Sequence, residues 1–169
     1  GDSGSSSGSS SYGWTYTYGY TNGSASSGPS YQDRVEAAQL RAEMEAQAAI
    51  QREALRLNQI GIDYANKGDW DNAAKYYEQA NATNPNDPVI ADNLRKARGS
   101  QWNKAGIAYY TQGDYEKAAE AYAKALELKP ESDVIRQNLE EARQQAEVQR
   151  QVAADNQRKK EALAAADVA

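Results

Sequence analysis

The chain repeats itself with a period of 45 residues, and this repeat constrains the fold more than any other feature of the sequence. Shifting the sequence by 45 positions superposes identical residues along two stretches in one register. The coinciding pairs include Asn58/Asn103, Gly61/Gly106, Ile62/Ile107, Tyr64/Tyr109, Gly68/Gly113, Asp69/Asp114, Ala73/Ala118, Tyr77/Tyr122, Ala80/Ala125, Pro85/Pro130, Ile90/Ile135, Asn93/Asn138, Leu94/Leu139 and Ala97/Ala142. Such a match indicates an internal duplication. Repeats of this length are small units that bury their apolar faces only against neighbouring units.

Each copy of the repeat carries the signals of two helices joined by a tight turn. Gly61 lies within the first helix, where glycine costs about 1 kcal/mol relative to alanine; this cost is tolerable if a second helix approaches closely. Gly68-Asp69 predicts the connection, because glycine ends a helix in the left-handed conformation and aspartate caps the next one. Pro85 ends the second helix. Each copy therefore predicts a closely packed pair of helices.

This pattern resembles the tetratricopeptide repeat. The first unit, 54–87, has Leu57, Ile60, Gly61, Tyr64, Ala73, Tyr77, Ala80 and Pro85 at the signature positions. The second unit, 99–132, has Trp102, Ala105, Gly106, Tyr109, Ala118, Tyr122, Ala125 and Pro130 there. The resemblance implies an all-α fold, a right-handed helical-repeat solenoid of long antiparallel helices, preceded by an extended Gly/Ser/Tyr-rich segment. It also implies a non-enzymatic protein that needs no cofactor.

The sequence departs from the family in its period, which is usually about 34 residues. Here an extra segment, 88–98, separates the two units. Eleven residues make three helical turns at about 3.67 residues per turn, so the insertion lengthens a helix without rotating its face. We predict long helices near 32–67, 88–112 and 132–166 and short ones near 70–84 and 115–128. The predicted regions are 1–31 (low complexity), 32–53 (helix extension), 54–132 (the two units) and 133–169 (C-terminal helix).

The ends of a two-unit stack need covering, because three or more repeats are usually required for stability. The apolar residues of the flanking helices are Val35, Leu40, Met44, Ile50, Leu55 and Leu57 in the first helix and Val134, Ile135, Leu139, Ala142 and Ala146 in the last. One interpretation is that both helices cap the stack. The other is that they continue it into a second copy, since a solenoid with unfinished ends can polymerise head-to-tail.

Residues 12–20 alternate between aromatic residues and Gly or Thr. The aromatic residues are Tyr12, Trp14, Tyr16, Tyr18 and Tyr20. This period of two predicts a β-strand over 12–21. A lone strand cannot satisfy its own backbone, so it pairs with another copy, lies across a groove or stays disordered. We favour docking on a neighbouring chain, as an assembly strand.

The sequence also contains candidate modification sites. The hydroxyl-rich composition of the N-terminal region suits O-glycosylation in an exported protein, and two sequons for N-glycosylation occur in the chain, one at Asn22 and one at Asn81. The candidates are Asn22, Asn81, Thr15, Thr17 and Thr21. The chain also begins without Met, which indicates either a removed leader or a fragment. We therefore favour an extracellular or exported location over a cytoplasmic one.

Composition excludes several functional classes. The chain has no Cys and no His, so it contains neither a Cys–His pair nor a Ser–His–Asp triad, and no zinc site of Cys and His ligands. Its formal net charge is -5, with both signs interleaved, which argues against binding to nucleic acid. No apolar run approaches the roughly 20 residues that span a membrane. We predict no metal site and no membrane span.

The family resemblance implies a concave groove lined by the first helix of each unit. The implied groove residues are Leu55, Asn58, Ile62, Asn66, Asn103, Ile107 and Tyr110, with Ala65, Ser100 and Thr111 beside them. The carboxylate-clamping subclass is excluded, because Asn58 and Asn103 occupy its basic positions and Lys104 replaces an asparagine. Two functions follow. We favour a self-assembling structural subunit, a filament or oligomer of copies joined by helix stacking and segment exchange. The alternative is an adaptor whose groove binds a peptide or helix of another protein.

Overall fold

The computed structural model describes residues 28–167, and its regular elements are five α-helices. They are α1 (Tyr31–Asn66), α2 (Trp70–Thr83), α3 (Pro88–Thr111), α4 (Tyr115–Leu128) and α5 (Asp133–Asp167). Each helix begins and ends within one residue of its predicted bounds. The all-α helical-repeat prediction is therefore confirmed. The predicted strand over 12–21 lies outside the described residues.

The chain divides into two units, Gly1–Gln39 and Leu40–Ala169. In the described part of the first unit, Ser30 caps the start of α1. The backbone N–H of Ser30 donates to Oδ2 of Asp33 over 2.8 Å, and the N–H of Asp33 donates to Oγ of Ser30 over 3.1 Å. This reciprocal pair satisfies two backbone donors at the helix start, which is why the helix begins at the change of composition.

In the second unit, the turns within the two repeats have the chemistry that the sequence predicts. Gly68 and Gly113 have positive φ angles of 73° and 79°. The side chain of Asp69 then accepts a hydrogen bond from the N–H of Asn72, and that of Asp114 accepts one from the N–H of Lys117. Only glycine adopts a left-handed conformation without a steric cost, so these two residues end the first helix of each pair.

The first repeat packs the C-terminal part of α1 and all of α2 against the first half of α3. Its buried residues are Ala54, Leu57, Ala80 and Ile90 at one end and Ala73, Ala74, Tyr77, Leu94 and Ala97 at the other. Ala54 and Leu57, which precede the other packed residues of α1, thus meet the late residue Ala80 of α2 and the early residue Ile90 of α3. This order makes α2 antiparallel to both helices, and α1 and α3 parallel to each other.

The second repeat packs the second half of α3 and all of α4 against the start of α5. Its buried core contains Ala118, Tyr122, Ala125, Ile135, Leu139 and Ala142. Ile135, Leu139 and Ala142 stand 45 positions after Ile90, Leu94 and Ala97 of the first repeat. The start of α5 therefore closes the second repeat as the start of α3 closes the first.

Helix α3 serves both repeats through different sides. Ile90, Leu94 and Ala97 pack in the first repeat, whereas Gly99 and Gly106 lie against residues of the α4 region. At about 100° per residue, the two sets lie on roughly opposite sides of the helix. The segment 88–98 is therefore more than an extension. It completes the first repeat before the same helix begins the second, which lengthens the period from about 34 to 45 residues.

The two flanking helices differ as caps. Ile135, Leu139, Ala142 and Ala146 of α5 are buried, so the predicted cap at this end is confirmed. In α1, by contrast, Leu40, Met44 and Ile50 of the second unit are exposed. These apolar residues are scattered around the helix and form no continuous stripe, so this part of α1 covers no core of the described repeats.

Candidate functional site

Two asparagine pairs join the parallel helices at equivalent points. Nδ2 of Asn93 donates to Oδ1 of Asn58 over 3.0 Å, which links α3 to α1. Nδ2 of Asn138 donates to Oδ1 of Asn103 over 3.5 Å, which links α5 to α3. Each pair is 35 residues apart in sequence, so the same contact recurs in both repeats. These bonds define the floors of two grooves, groove 1 between α1 and α3 and groove 2 between α3 and α5.

Groove 2 contains a cavity of about 230 Å³ lined by Ile107, Tyr110, Tyr122, Asn138 and Glu141. Ile107 is 49% exposed. The Tyr110 hydroxyl donates to Oε1 of Glu141 over 2.7 Å across the groove. An apolar side chain, aromatic rings, a carboxylate and an amide therefore converge on one small cavity.

Two tyrosines of groove 2 have perturbed acidities. The hydrogen bond to Glu141 raises the pKa of Tyr110 to about 12, with burial and the nearby negative charge acting in the same direction. Burial also raises the pKa of Tyr122, which lies at the floor of the cavity. Both groups stay protonated at neutral pH. They therefore offer hydroxyl groups and ring faces to a ligand, without a charge.

Groove 1 has the same backbone but different chemistry. Forty-five positions before Tyr110 and Glu141 stand Ala65 and Lys96, so groove 1 has no bridging Tyr–Glu hydrogen bond. Lys96 instead pairs with Asp92 on its own helix over 2.7 Å. The two grooves thus carry opposite charges at equivalent positions, Lys96 in groove 1 and Glu141 in groove 2.

The structure places the predicted groove residues in two groups. Leu55 and Asn66 are exposed and Ile62 is half-buried, as groove positions require. Asn58, however, is only 7% exposed, and its side chain is engaged by Asn93. Its expected role as a free contact residue is wrong, because it joins α1 to α3 instead. Asn103 is partly buried and engaged in the same way by Asn138.

Sequence reasoning missed the groove residues that come from the following helix. Asn93 and Lys96 of groove 1 and Asn138 and Glu141 of groove 2 belong to the segments that close each repeat. Their signal is the repeat itself, since Asn93 and Asn138 are one of its identical pairs. That identity does not show which residue each asparagine contacts, so only the packing of parallel helices reveals the pairing.

Of the candidate modification sites, only Asn81 lies within the described residues. Asn81 lies half-buried within α2, and the hydroxyl of Thr83 in its sequon donates to the carbonyl oxygen of Gln79 over 2.8 Å. Such sequons are glycosylated in exposed loops, so this helical setting is unfavourable. The candidates Asn22, Thr15, Thr17 and Thr21 lie outside the described residues, as do the aromatic residues of the predicted assembly strand.

Residues 28–167 were also searched for metal sites and membrane-spanning helices. No group of three or more acidic, His or Cys side chains is arranged there to hold a metal ion. None of the five described helices is long and apolar enough to cross a membrane.

Two comparisons with known proteins match part of this chain. The family profile of the tetratricopeptide repeat matches residues 54–87 and 100–132. A search of curated proteins gives no match. Among solved structures, the first TPR domain of the human RPAP3 protein, determined by NMR, is 20% identical and has a TM-score of 0.36; the alignment covers 60% of this chain and 98% of that one. Residues 54–87 and 100–132 are therefore two tetratricopeptide repeats.

Proposed function

We propose that this protein is a non-catalytic scaffold that binds a segment of another protein along grooves 1 and 2. Tetratricopeptide repeats form helical-repeat scaffolds for protein interaction, and repeat stacks use extended concave surfaces for binding. The observation that carries the proposal is the cavity of groove 2. There Ile107 remains half exposed beside hydrogen-bonding groups, although the surrounding core is closed.

The chemistry of groove 2 indicates what kind of segment binds. Ile107 and the ring of Tyr110 provide an apolar wall for an aliphatic side chain. Glu141 and Asn138 at the edge of the cavity are positioned to accept hydrogen bonds from backbone N–H groups or from a basic side chain. A peptide with an aliphatic residue followed by a basic one satisfies both parts of the cavity.

The test is selection of peptides from a random library on the whole protein, followed by calorimetry with three forms of the protein. Ile107→Asp places a charge in the cavity at an exposed position that is not required for folding. Val152→Asp is the matched control, because Val152 is the repeat equivalent of Ile107 and is 54% exposed, but it does not line groove 2. We expect Ile107→Asp to raise the dissociation constant of the selected peptides about tenfold or more, because one well-placed contact is lost. Peptides that bind both variants equally well refute the proposal.

Self-assembly by head-to-tail stacking of helices is the second candidate, and the repeat register disfavours it. On α5, Gln151 stands where α3 has Gly106, the residue that lets the ring of Tyr122 approach. On α1, Glu45 and Arg52 stand where α3 has the buried residues Ile90 and Ala97. Neither helix therefore carries the small or apolar residues that a further repeat needs at its interface.

Self-assembly through the aromatic segment 12–20 is a separate proposal that rests on its alternating pattern. The full-length chain with Trp14→Ser, Tyr16→Ser and Tyr18→Ser tests it by light scattering beside the unchanged protein. Filaments or large oligomers that disappear in this variant support a structural subunit. A monomeric unchanged protein refutes it and leaves groove binding as the function.

A further inference from the structure

Helix α5 carries six charged residues on one side, which we name the charged stripe. They are Asp133, Arg136, Glu140, Arg143, Glu147 and Arg150. Their spacing alternates between three and four residues, so at about 100° per residue they lie within roughly 60° of one line along the helix. All six are exposed, and their signs alternate without exception.

The repeat shows what this side of the helix is for. The stripe corresponds to the side of α3 that receives α4 in the second repeat. On α3, a Cβ at Gly99 would touch the side chain of Lys129, Arg95 donates to the carbonyl oxygen of Leu128, and Nζ of Lys124 lies 4.4 Å from the centre of the Trp102 ring. On α5 no described helix occupies the equivalent side. Within residues 28–167, this side of α5 is a repeat-packing surface without a partner helix.

An open depression of about 610 Å³ lies along this uncovered side. Its apolar lining consists of Leu126 from α4 and Leu139 and Val148 from α5. Four stripe residues, Arg136, Glu140, Arg143 and Glu147, line it as well. The surface thus combines an apolar floor with charges of both signs, which is the composition of a protein interface more than that of a small-molecule pocket.

The charges of the stripe are complementary to themselves under two-fold symmetry. If two α5 helices lie antiparallel about an axis between Glu141 and Ala142, Glu140 of each copy faces Arg143 of the other. The same axis places Arg136 opposite Glu147, and Asp133 opposite Arg150. Every facing pair has opposite signs. A parallel pair in register would instead place like charges opposite one another, which is destabilising.

The pairings within the chain leave the centre of the stripe available. Arg136 is paired with Asp133 on the same helix. Arg150 is paired with Glu147 on the same helix and with Glu116 on α4. Glu140 and Arg143 form no ion pair with any residue in the range 28–167. The two residues nearest the axis are therefore the two whose charges are not already compensated.

We propose that two copies of this protein associate through antiparallel α5 helices, with the charged stripes paired about the axis between Glu141 and Ala142. The interface is isologous, since the same surface of both copies takes part and closes on itself. It covers the depression lined by Leu126, Leu139 and Val148. It leaves grooves 1 and 2 open, so it adds a second interaction surface to the proposed groove function and does not depend on it.

The first test is the solution mass of the full-length protein across a range of concentrations, by sedimentation equilibrium. We expect twice the chain mass of 18.5 kDa at high concentration and a lower mass in about 1 M NaCl, where the Debye length falls to ~3 Å. Arg143→Glu and Glu140→Arg each place like charges at the centre, and we expect each to raise the dissociation constant about tenfold or more. The double variant Glu140→Arg/Arg143→Glu restores opposite charges, and we expect it to associate again.

Three results overturn the proposal. One is a monomer at every concentration. Another is association that the single variants leave unchanged, which would place the contact elsewhere, for example in the aromatic segment. The third is a double variant no better than the single ones. All variants change only exposed residues, so far-UV circular dichroism provides an independent check that they are folded.

A distance measurement tests the antiparallel arrangement separately. The chain has no Cys, so Ala153→Cys gives a single site for a spin label on α5. Ala153 lies about 11.5 residues from the axis, which predicts a separation of about 35 Å along the helices at 1.5 Å per residue. A parallel pair in register would give about 10 Å, the usual distance between packed helices. The short distance refutes the antiparallel pairing.

Discussion

The close contact between the helices of each repeat predicts a contrast between two glycines of the same helix. A Cβ added at Gly106 would lie 2.6 Å from Cδ1 and Cε1 of the rigid ring of Tyr122, a residue that is 3% exposed. A Cβ added at Gly99 would lie 2.6 Å from Cγ and 2.8 Å from Cδ of the flexible Lys129 side chain, and 3.2 Å from Cβ of Leu128. Gly106→Ala therefore places a methyl group against a rigid ring, whereas Gly99→Ala places the same group against a flexible side chain.

The magnitudes follow from two opposing effects. Replacing glycine by alanine within a helix stabilises it by about 1 kcal/mol at either position. Overpacking a packed core costs about 1–3 kcal/mol, and this applies to Gly106 because the atoms it would meet belong to the rigid ring of Tyr122. We therefore expect Gly106→Ala to lower the free energy of unfolding by about 0–2 kcal/mol. Gly99→Ala is expected to leave it unchanged or to raise it by up to about 1 kcal/mol.

The assay is urea unfolding followed by far-UV circular dichroism, with thermal unfolding as a second measure. A loss of 1 kcal/mol corresponds to a fall in Tm of about 2–4 °C for a chain of this size. A double-mutant cycle identifies the cause. In a Tyr122→Leu background the ring is gone, so Gly106→Ala is expected to become neutral or stabilising, whatever Tyr122→Leu itself costs.

Two outcomes would refute this reasoning. If Gly106→Ala and Gly99→Ala change the free energy of unfolding equally, the identity of the neighbouring atoms is not what requires glycine. If Gly106→Ala costs as much with Leu at position 122 as with Tyr, the ring contact is not the cause. Gly61, which faces the ring of Tyr77 at 2.6 Å by the same measure, provides a replicate in the first repeat.

Three further predictions concern single polar groups. The pKa of Tyr110 is raised to about 12 by its hydrogen bond to Glu141. The stability that this hydrogen bond contributes is therefore complete below pH ~10 and is lost as the pH rises through about 12. The urea midpoint of Tyr110→Phe should accordingly fall less over this alkaline range than that of the unchanged protein. Asn58→Ala leaves Nδ2 of Asn93 without its partner and should cost about 1–3 kcal/mol by urea unfolding, and a cost near zero would contradict the role of this pair. Asp87 accepts hydrogen bonds from two backbone N–H groups at the start of α3, so Asp87→Ala should cost about 1 kcal/mol, whereas Asp87→Asn should cost much less.

The sequence by itself determined the elements and their boundaries. The 45-residue repeat, the Gly68-Asp69 turn and the proline at the end of each unit predict every described helix to within one residue. These signals are local. A left-handed glycine, a capping carboxylate and a proline each act on the few residues around them, so they can be recognised without knowing what the helices pack against.

Only the tertiary structure decided which residues face a groove, a neighbouring helix or solvent. Asn58 has the pattern of a groove residue but joins two helices, and Glu141 reaches groove 2 from a helix that begins after the second repeat. The apolar residues in the first part of α1 suggested a cap, but they are exposed and cover no core residues of the described chain. The reason is physical: a helix presents residues on every side, and the side that is buried depends on which neighbour arrives from a distant part of the chain.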